Sequence, residues 1–472
     1  MVRTPGFHPG NRSSTLLGDV MRKPYQKPVL TASPDVKVAP PVISKLAIFL
    51  ISLIVRPYII FLFGFAKLEL HGDSILFDVF RRSLSGKSRS IIAFRHPDGR
   101  EPQLLSWLFT FKLKSLALKK KIKFDRKPHS IFVYGYEVAR WGGPVVRIVM
   151  PKMGAIPIHH TKLDSKGMTK ILNSITDGCY PLSLAPEGQV SYSQDTVPRL
   201  ESGAIRIGFQ AASALAAKNS GCPLELLPLS VHFRYGSFGE AAMQRLLKKI
   251  EKTCGFIKKE SKKLSFDTRI KRCRDLILEI NENRYGIKID DSLSFKERLD
   301  KVINCALSCS ERMLGIKSEG DFFIRLYKVR HICWDKIYLA GIDSFKKTAG
   351  VRRSVMDLQA GEAYYIARHQ ELADFGWYFK EANIQEDCAL HNKVEYVQNL
   401  WDFANRTMGG ALANRVNIHP RKIIIKTAPA IDLGTRLEHY KENKREAVAS
   451  VSADLEKAFL DCINEVNNSV SG

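Results

Sequence analysis

Between Ser90 and Val231, five short apolar runs alternate with four helix-length segments, and this alternation narrows the folds open to the chain more than any other feature. The runs are Ser90–Phe94, Ser130–Gly135, Ala155–Ile158, Tyr180–Ala185 and Leu224–Val231, and the segments Pro102–Leu113, Val138–Lys152, Ser165–Asp177 and Gly203–Lys218 lie between them. Parallel neighbours in a sheet need a crossover of about a dozen residues or more, usually a helix, whereas antiparallel ones are joined by tight turns. The pattern predicts an α/β core over residues 68–235, a mostly parallel sheet flanked by helices, with Leu68–His71 as a further short strand. In such a sheet, ligands bind outside the C-terminal ends of the strands. Two of those ends carry reactive side chains. The first run leads into Arg95-His96-Pro97-Asp98-Gly99-Arg100-Glu101, and the fourth closes on Ala185-Pro186-Glu187-Gly188.

Beyond Tyr235 the alternation stops. Residues 236–419 are lysine-rich and read as helical without an evident strand, before Lys422–Lys426 (Lys-Ile-Ile-Ile-Lys) and a charged helix over about Arg436–Asn467. A lone strand cannot satisfy its own backbone groups, so residues 420–472 are expected to return to the N-terminal sheet. The helical stretch is then an insertion in one catalytic domain.

Residues 1–41 are polar and rich in proline and serine, the composition of a disordered leader. Residues 42–67 are almost wholly apolar, apart from Ser44, Lys45, Ser52, the central pair Arg56-Pro57 and the closing Lys67. A straight span would put Arg56 near mid-bilayer, at about 2.5–3.5 kcal/mol. Proline breaks a helix and arginine snorkels, so the expectation is a membrane-associated helical hairpin turning at Arg56-Pro57. The basic run Lys112, Lys114, Lys119, Lys120, Lys121, Lys123, Arg126 and Lys127 suits anionic headgroups, although a solvated helix face is the better explanation of the run by itself.

Lysine and arginine outnumber aspartate and glutamate 73 to 48, for a net charge of +25, which favours anionic partners. The nine cysteines include no CxxC pair; Cys305 and Cys309 share a helix face, but no second close pair completes a metal site. They read as buried thiols of a reducing compartment, and no metal is expected. Lysines of the insertion from Lys248 to Lys263 lack interleaved aromatics and any recognised nucleic-acid module, so no nucleic-acid partner is expected.

Histidine near neutral pH is a natural base, and a carboxylate on its other nitrogen fixes the tautomer and stabilises the imidazolium. His96 and Glu101 have these residue types, but the spacing carries little information. With 12 histidines and 48 acidic residues in 472, about one such pair arises by chance, and the chain has three: His96/Glu101, His159/Asp164 and His369/Asp374. The third falls in the insertion and is expected at the surface. His96 stands out because it follows the first core strand and further landmarks follow in order.

Those landmarks are the blocks around His96 to Glu101, Gly154-Ala155-Ile156-Pro157-Ile158-His159-His160, Ala185-Pro186-Glu187-Gly188-Gln189-Val190-Ser191, and Leu227-Pro228-Leu229-Ser230-Val231, with Pro429-Ala430-Ile431-Asp432 at the end. Taken together over about residues 43–235 and 420–468, the chain resembles the glycerolipid acyltransferase family typified by 1-acylglycerol-3-phosphate acyltransferases. It departs from that family in having His-x4-Glu for His-x4-Asp, Val190 where the third block has arginine, and no lysine before Gly203. The resemblance implies a membrane-associated O-acyltransferase, its active site facing the cytoplasm. It would move a fatty acyl group from acyl-CoA or acyl carrier protein to a (lyso)glycerolipid hydroxyl, 1-acylglycerol-3-phosphate being the family's acceptor. His96 is then the base and Glu101 its orienter, while Gly154, His160, Glu187, Gly188 and Gln189 line the acceptor site. Arg95, Arg100 and Arg199 stand close enough in sequence to supply the charge that Val190 does not. No bound cofactor is expected, because the thioester is already activated. Glutamate adds a methylene to the orienter, and a displacement of that size costs on the order of a hundredfold in rate, so a catalytically degenerate lipid-binding member is the alternative. Oligomeric state, acyl length and headgroup are not readable.

Overall fold

A computed structural model describes residues 31–159, 164–218, 221–339, 349–380, 388–410 and 415–470. Its strands are β1 (Ser33–Pro34), β2 (Phe65–His71), β3 (Arg89–Phe94), β4 (Ile131–Gly135), β5 (Ile156–Ile158), β6 (Leu182–Leu184), β7 (Leu224–Arg234), β8 (Tyr338–Leu339), β9 (Arg421–Thr427) and β10 (Ile431–Asp432). The main sheet has the order β2-β9-β7-β3-β6-β4-β5, with β10 also on β7. From β7 to β5 every pairing is parallel. The last long strand does return to this sheet, but it enters antiparallel to β7 and parallel to β2. The fold is thus α/β, a mostly parallel mixed sheet flanked by helices.

β3 shows why its sequence makes a central strand. A strand covered on both faces must be apolar on both, and successive side chains point to opposite faces. Ile92 and Phe94 join the core beneath the helices Asp73–Leu84 and Glu101–Trp107. Ile91 and Ala93 join the core under Ser165–Thr176, Gly203–Ala217 and the long C-terminal helix Lys444–Val470. All five apolar runs are strands within three residues of their expected ends.

The N-terminal segments differ from expectation. Lys45–Pro57 is an α-helix that continues into a π-helical turn, Tyr58–Leu62, and does not fold back at Arg56-Pro57. Proline removes one ladder donor, and the wider turn just beyond it absorbs the irregularity without a hairpin. Leu46, Phe49, Leu50, Leu53, Ile54, Tyr58 and Phe61, recurring at the helical period, are exposed along one side, whereas Ile48 and Ile59 are buried on the other. No helix among the described residues is long and apolar enough to cross a membrane. Residues 1–30 lie outside the described residues. The rest of the expected leader is ordered at its start: Ala32 is buried, its N–H donates to Asp357 at 2.8 Å, and Asp35 forms a bidentate ion pair with Arg140 at 2.9 Å.

The insertion is helical, built mainly from Ser237–Thr253, Phe266–Arg284, Phe295–Leu314, Phe322–Ile337, Gly350–Phe379 and Leu390–Thr407 around its own apolar core. It is not free of strands, since β8 pairs with β1 in parallel. The expected single C-terminal helix is two, Leu437–Glu442 and Lys444–Val470.

Gly64 joins the N-terminal helix to β2 at a φ of +62°, and a Cβ there would lie 2.3 Å from Nδ1 of His419. Gly64→Ala combines left-handed strain with that clash. The variant is expected to lose about 2 kcal/mol or more of unfolding free energy, read by urea denaturation.

Candidate active site

β3 and β6 are adjacent and parallel, so their C-terminal turns lie side by side. Arg95 and Glu187 are both buried, and Nε of Arg95 donates to Oε1 of Glu187 at 3.1 Å. The rest of the guanidinium donates to the carbonyls of Ser193, Gln194 and Thr196 at 2.5–2.8 Å. The other carboxylate oxygen of Glu187 accepts the backbone N–H of His96 at 2.9 Å. From the far side, the Ser191 N–H donates to the His96 carbonyl, also at 2.9 Å. The backbone of His96 is therefore held at both polar groups by the third-block loop.

The side chain of His96 is held from the other direction. Nδ1 lies 2.6 Å from Oε2 of Glu101, the buried first residue of the helix Glu101–Trp107. The glutamate reaches back over its own turn. Oε1 accepts the Asp98 N–H and Oε2 the Gly99 N–H, each at 2.9 Å. Gly99, at a φ of +100°, supplies the left-handed residue that the turn requires. The helix N-terminus favours an acid at this position, and the added methylene is taken up by the reach from helix to imidazole. A carboxylate only accepts, so Nδ1 carries the proton and Nε2 is the basic nitrogen. The side chain keeps 15% of its surface open. Burial disfavours the imidazolium, but the hydrogen bond to Glu101 and the charges of Glu101, Glu187 and Asp98 outweigh it and raise the pKa above 6.5.

Two further residues of the first block, Asp98 and Arg100, define the surroundings. Asp98 accepts both Nη atoms of Arg421 at 2.8 and 3.1 Å. Arg421 is fully enclosed between the rings of Phe65 and Phe233. Although burial opposes its charge, Arg421 and Arg100 hold the Asp98 carboxyl far below the ordinary range. Arg100 lies over the ring of Phe63, with Nε 3.8 Å from Asp98, and burial brings its pKa down to about 10.

The remaining expected residues fall into place differently. Glu187 and Arg95 are corrected from substrate contacts to enclosed anchors: a side chain without exposed surface, engaged by internal partners, cannot reach a bound phosphate. Gln189 is half-buried, and its amide is turned to the insertion: Nε2 donates to Asp374 and Tyr378 at 2.7 and 2.9 Å, and Oε1 accepts from Arg330 at 3.2 Å. Gly188 makes the third-block turn at a φ of +73°. Gly154, at +78°, packs under Ile43, where a Cβ would meet Cγ1 at 2.8 Å. Arg199 stacks on Phe323 at 3.9 Å, away from His96 in its partners. His160 lies outside the described residues.

The competing pairs do not repeat the dyad. Asp164 caps the helix Ser165–Thr176 and accepts the backbone N–H of His159 at 3.1 Å, and the His159 ring stacks on Tyr136. Of the pair expected at the surface, His369 is half-buried and meets the Tyr285 hydroxyl at 2.8 Å, and Asp374 is buried and pairs with Arg330 at 2.5 Å. Asp98, Arg330, Asp374, Tyr378 and Arg421 were not expected from the sequence. Only Asp98 gave a signal, by standing inside the first block. Among the described residues no group of three His, Cys, Asp or Glu side chains is arranged to hold a metal ion.

The arrangement can accept a proton at Nε2 and stabilise the resulting imidazolium, at the sheet edge where α/β folds bind ligands. No protein-family model matches the chain, and no curated protein or solved structure matches it.

Because breaking a buried pair leaves a charge uncompensated, Glu187→Gln is expected to lower the unfolding free energy by roughly 3–5 kcal/mol in urea titrations. A loss below about 1 kcal/mol would mean that the Arg95–Glu187 pair does not secure the turn.

Proposed function

We propose that the protein is a membrane-associated O-acyltransferase that moves a fatty acyl group from an acyl-CoA or acyl-carrier-protein thioester to the hydroxyl of a (lyso)glycerolipid. The observation that carries this reading is the 2.6 Å contact between Nδ1 of His96 and Glu101 at the C-terminal edge of β3. The ordered blocks of the acyltransferase resemblance supply the reaction class. Nε2 of His96 takes the proton of the acceptor hydroxyl as its oxygen attacks the thioester carbonyl. The carbon–sulfur bond then breaks, and the sulfur leaves as a thiol with the proton from the imidazolium. Glu101 favours that imidazolium and holds the tautomer. Its contact with His96, despite the longer side chain, supports the catalytic reading over a degenerate one.

The exposed apolar stripe of the Lys45–Leu62 segment supports membrane association in a form other than a hairpin. A helix with one apolar face lies in the plane of the interface and buries that face in the acyl boundary. The active site would face the cytoplasmic side of the membrane, reached by an acceptor whose tail stays in the leaflet.

Purified protein is to be assayed with labelled acyl-CoA and mixed lysolipids. His96→Ala is expected to lose a factor of about 10²–10⁴ in rate; transfer that survives the change excludes this base. The base works only when neutral, so a raised pKa puts the acid limb of the rate profile above pH 6.5, with activity falling as pH drops through it. Glu101→Gln removes the principal stabiliser of the imidazolium, and is expected to slow transfer and shift that limb to lower pH.

Membrane seating is tested separately. Phe49→Asp combined with Leu53→Asp removes two apolar side chains from the stripe, at about 1.5–3 kcal/mol each, and is expected to weaken sedimentation with phospholipid vesicles at least a hundredfold. Unchanged vesicle binding would assign the stripe another partner.

A further inference from the structure

The first half of the helix Gly350–Phe379 is packed on one side only. Met356, Ala360, Ala363 and Ala367 join the core of the insertion. On the side turned away from that core stand Val351, Val355, Leu358 and Tyr365, each between 47 and 81% exposed. With Glu362, exposed in the same row, the positions alternate four and three residues apart from Val351 to Tyr365. That spacing is the seam of a coiled coil, along which two helices pack knobs into holes. Single apolar residues scattered over a surface need no explanation, but a contiguous row on a helix that already has its core does.

Charge decides what covers the row. The apolar helix Lys45–Pro57 has Lys45 and Arg56 as its only charged residues, which suits a lipid surface. Here Glu362 stands inside the row, where a carboxylate is costly in the acyl boundary and repelled by anionic headgroups. The row is therefore suited to protein. Arg352 is exposed near its other end, and neither Arg352 nor Glu362 has an ion pair among the described residues, whereas Arg353 pairs with Asp357. A second copy of this helix laid antiparallel sets Val355 against Leu358 and Val351 against Glu362, so that each Arg352 flanks the Glu362 of the other copy. The two-fold axis makes that contact twice. Parallel pairing in register would set Glu362 against itself, like charge against like. We propose that the row from Val351 to Tyr365 is a self-association surface, and that its partner is the same helix of a second copy, antiparallel about a two-fold axis. The pairing holds whether or not the chain transfers acyl groups. One seam of this length buries less than the ~1,200 Å² of standard interfaces, so a reversible dimer with a dissociation constant of roughly 10–100 μM is expected.

The test is sedimentation equilibrium of the full chain in density-matched nonionic detergent, at concentrations spanning that range. The wild type is expected to pass from monomer to dimer. Glu362→Arg sets arginine beside arginine at both contacts, and Arg352→Glu sets glutamate beside glutamate. Each is expected to raise the dissociation constant at least about tenfold. Mixing the two variants in equal amounts is expected to restore wild-type association, because both contacts of the mixed dimer are again opposite in charge. Val355→Asp combined with Leu358→Asp is expected to leave only monomer. A wild type that stays monomeric at every concentration overturns the proposal. Single reversals that dimerise like the wild type overturn it too, as does a mixture that associates no better than either variant alone. Should circular dichroism show a reversal variant unfolded, the wild type and the Val355→Asp, Leu358→Asp double variant decide: a dimer that survives the double variant places the interface elsewhere. Vesicle binding lost in that double variant, with a monomeric wild type, assigns the row to lipid and overturns self-association.

Discussion

The Arg95–Glu187 pair is the interaction on which the rest of the site depends. Both side chains are removed from water, an arrangement that is unfavourable unless the remaining donors and acceptors are also met. Here they are: three carbonyls of the loop after β6 take the guanidinium, and the backbone N–H of His96 takes the second carboxylate oxygen. The pair thus fixes more than two side chains. It sets the loop 191–196 against the end of β3, and through the N–H and C=O of His96 it fixes the direction in which the imidazole leaves the strand. Glu101 then has one position to meet, and a short turn with a left-handed glycine suffices to meet it.

This division of labour explains why two carboxylates so close to one histidine have different tasks. Glu187 touches the backbone of His96 and cannot exchange a proton with the ring. Glu101 touches Nδ1 and leaves the backbone of His96 alone. Both charges favour the imidazolium, as does Asp98, so the ring is biased toward accepting a proton while only one partner determines its tautomer.

The strands were legible in the sequence because parallel strands buried on both faces leave near-continuous apolar runs, as in Ile91 to Phe94, and that signal is local. His96 and Glu101 were legible for a related reason, standing a few residues apart at the end of such a run. What was not legible depends on pairs far apart in the chain. Arg421 meets Asp98 across 323 positions, and Gln189 meets Asp374 across 185. Such contacts have no periodicity, and an arginine before an apolar strand looks like any flanking charge. Glu187 was visible as a conspicuous acid but not as an enclosed one, since burial of a lone polar residue in a turn depends on what folds over it. The hairpin expectation failed for a different reason: proline forbids one donor, but a π-helical turn relieves that without reversing the chain.

What folds over the site follows from where the insertion leaves the sheet. β7 ends at Arg234 and β9 begins at Arg421, and in their antiparallel pairing Arg234 lies opposite Lys422. The intervening chain is in effect one very long hairpin loop whose two ends are neighbours, so a unit with its own core can occupy it without disturbing the strands. The end of β7 from which it departs is the edge where β3 and β6 also end. An insertion rooted there has to lie against the turns of the candidate site. The side chains it presents to them, Arg330, Asp374 and Tyr378 on Gln189, Tyr327 on Glu201, and His391 and Asn392 on Asp195, grip the third-block loop along its length. The loop that positions His96 is thereby itself positioned from outside the sheet. The site is then a joint product of the sheet and the insertion, and an insertion of a different shape at the same point would change what the His96 turn can hold without altering a strand.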